Sequence, residues 1–258
     1  MHSRSPAKEQ QKILIIGIDS ADPLLIQEWV RTGELPNISK IIRCGVFSKM
    51  DTTIPPVTPP AWTTFATGKN PGKHGIFSFD LRQSDGYNRI PAIISSKLRD
   101  AKTIWEMASE AGLKVGLLNV PVTYPPQPLN GFMVSGIPVP GPESDFTYPP
   151  ELKHFLLRDL GYKIDVDRRL FGEALIGNSE ELLEDLKLTA HNRLKTSLYL
   201  LKNNPWHLFM VVFMVLDTVQ HFFWKYMDHG HPEYNERDGH RFRNAIKDLY
   251  RMIDHAIG

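Results

Sequence analysis

Three apolar runs restrict the folds open to this chain more than any other feature. Ile13–Ile18 is a hexapeptide rich in β-branched isoleucine, residues 114–119 are a second, mostly apolar run, and residues 208–216 are apolar throughout. Runs that are hydrophobic at successive positions bury both faces of a strand, as in a parallel sheet covered by helices on either side. The intervening segments carry the helical period: residues 23–31, 35–43, 101–111, 179–202, and a last stretch from Pro232 onward. This alternation predicts an α/β domain with a mostly parallel sheet and helices on both faces. Residues 46–53 are expected to be extended, and residues 132–135 to form a short strand.

Hydrophobic residues make up 41% of the 258-residue chain and aromatic residues 10%, enough for one large core. The expected organisation is a disordered polar tail at 1–12 followed by a single domain at 13–258. Twenty prolines gather mainly at 55–60, 121–128 and 138–150, which marks stiff, ordered loops. The region around 121–178 is a candidate cap over the sheet edge. Thirty Lys and Arg balance 29 Asp and Glu, a net charge of +1, so neither nucleic acid nor an anionic membrane is the expected partner. No apolar run approaches the roughly 20 residues of a membrane-spanning helix, and residues 1–12 hold no apolar signal core, so a cytoplasmic location is expected. Cys44 is the sole cysteine, which excludes an internal disulfide and a cysteine-based metal cluster; it is expected to be a buried small side chain.

Ligands of such sheets bind beyond the carboxyl ends of the strands, and two acids stand there. Asp19 follows Ile13–Ile18, and Asp217 follows residues 208–216. Parallel strands bring both to one rim. His221 lies one helical turn after Asp217, on the same face if a helix starts there. Carboxylate oxygen and imidazole nitrogen are ligands for zinc or manganese; helix capping by the acids and simple packing of His221 beside Phe222, Phe223 and Trp224 are the competing readings. Thr58, followed by Pro59, reads as the N-cap of a helix to about Thr67. A helix N-terminus favours phosphate, and a metal beside Thr58 activates its hydroxyl as a nucleophile; otherwise Thr58 is a plain cap.

Taken in order, Gly17-Ile18-Asp19-Ser20-Ala21-Asp22-Pro23, Leu35-Pro36-Asn37, Thr58-Pro59-Pro60-Ala61-Trp62-Thr63, and Thr67-Gly68-Lys69-Asn70-Pro71-Gly72-Lys73-His74-Gly75-Ile76 resemble the type I phosphodiesterase/nucleotide pyrophosphatase family of the alkaline phosphatase superfamily. Residues 119–126 and Asp217-Thr218-Val219-Gln220-His221 continue the resemblance, which spans about 13–258. It implies an alkaline phosphatase-like fold and hydrolysis of a phosphodiester or pyrophosphate bond in a small-molecule or nucleotide substrate. It also implies two divalent metal ions, usually zinc, with manganese the alternative. Carried over by motif, Asp19 and Thr58 hold one metal, Thr58 being the nucleophile, while Asp217 and His221 hold the other.

Departures from the pattern are specific. Ala61 stands where animal-type nucleotide pyrophosphatases place an asparagine three residues after the nucleophile. His74 belongs to the motif and is read as shaping a turn. The family's Asp-His pair, usually within Ser-Asp-His-Gly after a later strand, has only a superficial counterpart in Asp254-His255, because residues 250–257 read as the end of an amphipathic helix. His229 and His231 are read as solvated loop residues. The expectation is therefore the N-terminal part of a longer, incomplete catalytic domain, or a truncated relative with weak metal binding; the alternative is a non-catalytic binding domain derived from the same family.

Overall fold

The computed structural model describes residues 11–81, 92–175 and 177–258, so the polar tail expected at 1–12 lies almost wholly outside the described residues. β1 (Ile13–Ile18) leads into α1 (Pro23–Arg31) and α2 (Pro36–Cys44), then α3 (Thr58–Thr67) and α4 (Pro71–His74). A two-stranded antiparallel pair, β2 (Asp80–Leu81) and β3 (Ala92–Ile93), precedes α5 (Ile104–Glu110). β4 (Val115–Val120), β5 (Gly131–Ser135) and β6 (Thr147–Tyr148) follow, then α6 (Leu152–Arg158), α7 (Arg169–Leu175) and α8 (Ser179–Asn203). The chain continues with β7 (Leu208–Phe213), α9 (Val215–Met227), α10 (Glu236–Phe242) and α11 (Ala245–Ile257).

The main sheet has the order β1-β7-β4-β5-β6, parallel except for β6. Its two faces explain the unbroken apolar runs of β4 and β7, but not that of β1, which ends the strand order and, against expectation, leaves Ile13 58% and Leu14 46% exposed. Phe209, Val211 and Phe213 of β7 point into one core with Leu118, Phe132 and Val134, covered by α8, α9 and α11. Leu208, Met210 and Val212 point the opposite way, onto Ala66 of α3 and Trp105 of α5 with Val115, Leu117 and Met133. Alternate residues thus feed opposite cores, and every residue of β4 and β7 is buried. Each such large apolar side chain contributes roughly 1.5–3 kcal/mol on burial. The α/β class, the mostly parallel sheet and the helices on both faces are as the sequence predicts.

Local signals set the helix ends. Asp22 Oδ1 accepts the backbone N–H groups of Leu24 (2.6 Å) and Leu25 (3.0 Å), capping α1. Thr103 and Glu106 form a reciprocal capping box on α5. Leu35 precedes α2 and offers no capping oxygen; buried Asp254 on α11 does it from 217 residues away, accepting from Asn37 N at 3.2 Å and Ile38 N at 2.7 Å.

Several expectations change. Residues 46–53, expected to be extended, join neither sheet among the described residues, with Val46 96% exposed and Met50 87%. The apolar run 208–216 is a strand only to Phe213, because Val215 and Leu216 already belong to the first turn of α9 and are buried there. The final helical stretch is two helices, α10 and α11. Cys44, the last residue of α2, is exposed rather than buried. The segment 121–178 contributes β5 and β6 to the main sheet, with α6 packed on β6 and α7 against α8. Among the described residues no helix is long and apolar enough to cross a membrane.

Candidate active site

The parallel β1–β7 register pairs Ile13 with Leu208 and Ile18 with Phe213. The ladder runs one step further, Asp19 N donating to Phe213 O at 2.9 Å, and this fixes Asp19 at the carboxyl rim. Asp217 is not the residue directly after β7. It sits in the first turn of α9, where the helix dipole favours an anion. One turn later on that helix, His221 Nε2 lies 3.5 Å from Asp217 Oδ1, its side chain 71% exposed.

Thr58 is the first residue of α3 and not its cap; Val57 occupies the N-cap position. The Thr58 hydroxyl is directed to the sheet instead, donating to Asp19 Oδ2 at 3.2 Å. The expected phosphate cradle at this helix end is also thin. Pro59 and Pro60 have no N–H, and Ala61 N donates to Val57 O at 3.1 Å.

Asp19, Thr58, Asp217 and His221 line one cavity of about 560 Å³, with Ser20, Gln220, Ala61 and Phe79 among its other walls. Asp19 is only 8% exposed. Burial, and secondly the negative charge of Asp217, push its carboxyl up from 3.8 to about 6, against hydrogen bonds from Trp62, Thr58 and the backbone of Ser20. Two crowded acids without a lysine or arginine among the described lining residues form a negative site that a proton or a cation relieves.

The donor types suit zinc or manganese, but the count is short. Asp19 with Thr58, and Asp217 with His221, are two pairs, and among the described residues no group of three or more His, Cys, Asp or Glu side chains is gathered to hold a metal ion. The residues therefore fit part of each of two metal sites.

Other singled-out residues have structural tasks. His74 is fully buried: its Nδ1 accepts from Ile76 N at 3.1 Å, its Nε2 lies 3.0 Å from Thr64 Oγ1, and burial lowers its pKa. It shapes the turn before Gly75, whose φ of 78° suits glycine. Asp254 caps α2. His229 packs on Tyr234 with ring centroids 4.6 Å apart, and His231 Nδ1 accepts from Glu233 N. Ala61 brings a methyl group to the cavity wall, so no asparagine amide is presented from that position. Ser20 and Gln220 are functional candidates that sequence reasoning passed over. Their only signal was adjacency, Ser20 to Asp19 and Gln220 to His221.

The fold has solved relatives. Phosphonoacetate hydrolase from Sinorhizobium meliloti 1021, solved with phosphonoformate, aligns with a TM-score of 0.61 at 14% identity, covering 96% of this chain and 52% of its own. Murine ectonucleotide pyrophosphatase/phosphodiesterase 5 aligns with a TM-score of 0.51 at 15% identity, covering 96% and 51%. The chain thus spans about half the length of these relatives. No curated protein sequence matches it. The type I phosphodiesterase/nucleotide pyrophosphatase profile matches residues 13–258, and the chain belongs to that family.

Proposed function

We propose that the cavity is the phosphoryl-transfer centre of a metal-dependent hydrolase of phosphodiester or pyrophosphate bonds, with Thr58 as nucleophile. The observation that carries this reading is the Thr58 hydroxyl donating to a buried, destabilised carboxylate in a cavity shared with Asp217 and His221. Asp19 and Thr58 would hold one divalent ion, Asp217 and His221 the other, with further ligands beyond these two pairs. Such ions neutralise phosphoryl charge and lower the pKa of a nearby hydroxyl.

The chain's own residues do the rest. Asp19 orients the Thr58 oxygen and accepts its hydrogen bond. That oxygen forms a bond to phosphorus as the ester oxygen of the leaving group departs and takes up a proton. Water then cleaves the threonyl phosphoester, its oxygen bonding to phosphorus and one of its protons passing to the Thr58 oxygen, which releases the phosphate monoester. A small phosphorus oxyanion as ligand is supported by the phosphonoformate held in the Sinorhizobium relative.

The test is turnover of bis(p-nitrophenyl) phosphate with zinc or manganese, by the wild type and Thr58→Ala, with mass spectrometry of acid-quenched protein for a p-nitrophenyl phosphoryl group on Thr58. Loss of turnover and of the adduct in the alanine variant is expected; undiminished turnover would refute the nucleophile. The incomplete donor set favours a second reading, a binding domain without turnover. It would show as phosphonate binding by both proteins and hydrolysis by neither.

A further inference from the structure

The two acids of the site sit on separate elements, Asp19 after β1 and Asp217 in α9, and one residue touches both. Ser20 has a φ of 56°, left-handed backbone that a non-glycine residue rarely adopts. In that conformation its hydroxyl donates to Asp217 Oδ1 at 2.7 Å, while its backbone N–H stabilises the Asp19 carboxylate. Gln220 holds the arrangement from the opposite side: its Nε2 donates to Ser20 O at 2.7 Å and to Leu216 O at 2.9 Å, tying the residue to the first turns of α9.

Among the described residues, Asp217 and Gln220 are the ones whose hydrogen bonds hold Ser20 in this left-handed conformation, two residues after the end of β1. A residue kept in a sparsely populated backbone region by specific contacts, at a functional site, suggests that its placement is used there. Glycine would adopt this φ without strain; serine adds the hydroxyl, and the hydroxyl goes to the second acid. We infer that Ser20 is the positioning residue of the site, a brace, locked by Gln220, that sets the spacing of Asp19 and Asp217 and so of the two cations proposed above. This rests on the proposed metal-dependent reading, and it concerns groups behind the donors. Such groups typically change metal affinity by about 10- to 100-fold when removed.

The experiment is calorimetric titration of the 258-residue chain with zinc alone, comparing the wild type with Ser20→Ala, Ser20→Gly, Ser20→Asn and Asp217→Asn. Binding lost in Asp217→Asn defines the site. Ser20→Ala should weaken that binding about tenfold with an unchanged near-ultraviolet circular dichroism spectrum. Ser20→Gly, which relieves the backbone and guards against a misfolded alanine variant, should weaken it as much, because both lack the hydroxyl. Ser20→Asn, which tolerates left-handed backbone and offers an N–H donor to Asp217, should recover part of the affinity. A merely structural role would lower thermal stability and leave zinc affinity unmoved. Wild-type affinity in both Ser20→Ala and Ser20→Gly overturns the inference and leaves the metal-dependent reading standing. Absence of any Asp217-dependent zinc binding in the wild type overturns both together.

Discussion

Asp19 should destabilise the metal-free protein, and its replacement by asparagine should raise stability in a pH-dependent way. The native carboxyl is pushed up from 3.8 to about 6, so the folded state holds its proton more tightly than the unfolded state. Below the unfolded value both states are protonated and the residue costs nothing. As pH rises towards 6, the unfolded chain releases the proton first and stability falls. Above about 6 both states are ionised, and the penalty levels off at about 3 kcal/mol, since each pKa unit is worth about 1.4 kcal/mol. Asparagine is near in shape and still accepts from Thr58, but carries no charge to desolvate or to repel Asp217. Urea unfolding in the presence of a chelator should therefore show Asp19→Asn more stable than wild type by up to about 3 kcal/mol near pH 8, with the difference vanishing below about pH 3. Added zinc should stabilise the wild type and leave the variant behind. An asparagine variant that is equally or less stable near pH 8 would refute the argument that this carboxylate is held against its own ionisation.

Three further outcomes are expected. Thr58→Ser keeps the hydroxyl beside Asp19 and should retain part of the phosphodiesterase turnover that Thr58→Ala loses; equal loss in both would show that the hydroxyl alone is insufficient. Gly17→Ala would place a Cβ overlapping Trp62 Cη2 and 3.0 Å from Val212 Cγ2, so a loss of about 1–3 kcal/mol in chemical denaturation is expected, and an unchanged midpoint would contradict the close packing of α3 on β1. Asp254→Ala removes the cap of α2 and its bond to the Asn37 side chain, which should cost about 2 kcal/mol and lower the melting temperature, while zinc binding stays as in the wild type. Altered zinc binding would assign Asp254 to the site after all.

What the sequence exposes here is whatever depends on a residue and its near neighbours. The β7 run is legible because burial on both faces demands apolar side chains at every step, whereas Ile13–Ile18 has the same apolar character although Ile13 and Leu14 stay exposed. The same rule hides where β7 stops, since Val215 and Leu216 are buried for a different reason, as the opening turn of α9. Thr58 reads as a cap because a threonine before proline commonly is one; that its hydroxyl turns to Asp19, 39 residues back, is tertiary information. Asp254 shows the reverse case. Its resemblance to a metal-binding pair is local, while its partners are the backbone amides of a helix at the other end of the chain. Ser20 was hidden for a third reason, because a left-handed φ leaves no trace in the identity of a serine.

The β1–β7 pairing also has a bearing on when the protein becomes competent. Asp19 and Ser20 leave the ribosome early, whereas Asp217, 197 residues after Ser20, follows about 10–40 s later at common synthesis rates. Until β7 inserts between β1 and β4, the first acid lacks its acidic neighbour and the inner edges of both strands stand open. Closing such a non-local pairing is slow. Assembly of the acid pair thus waits for synthesis of β7 and α9, and an Asp217-dependent signal such as zinc uptake would serve as a clock for the insertion of β7 beside β1.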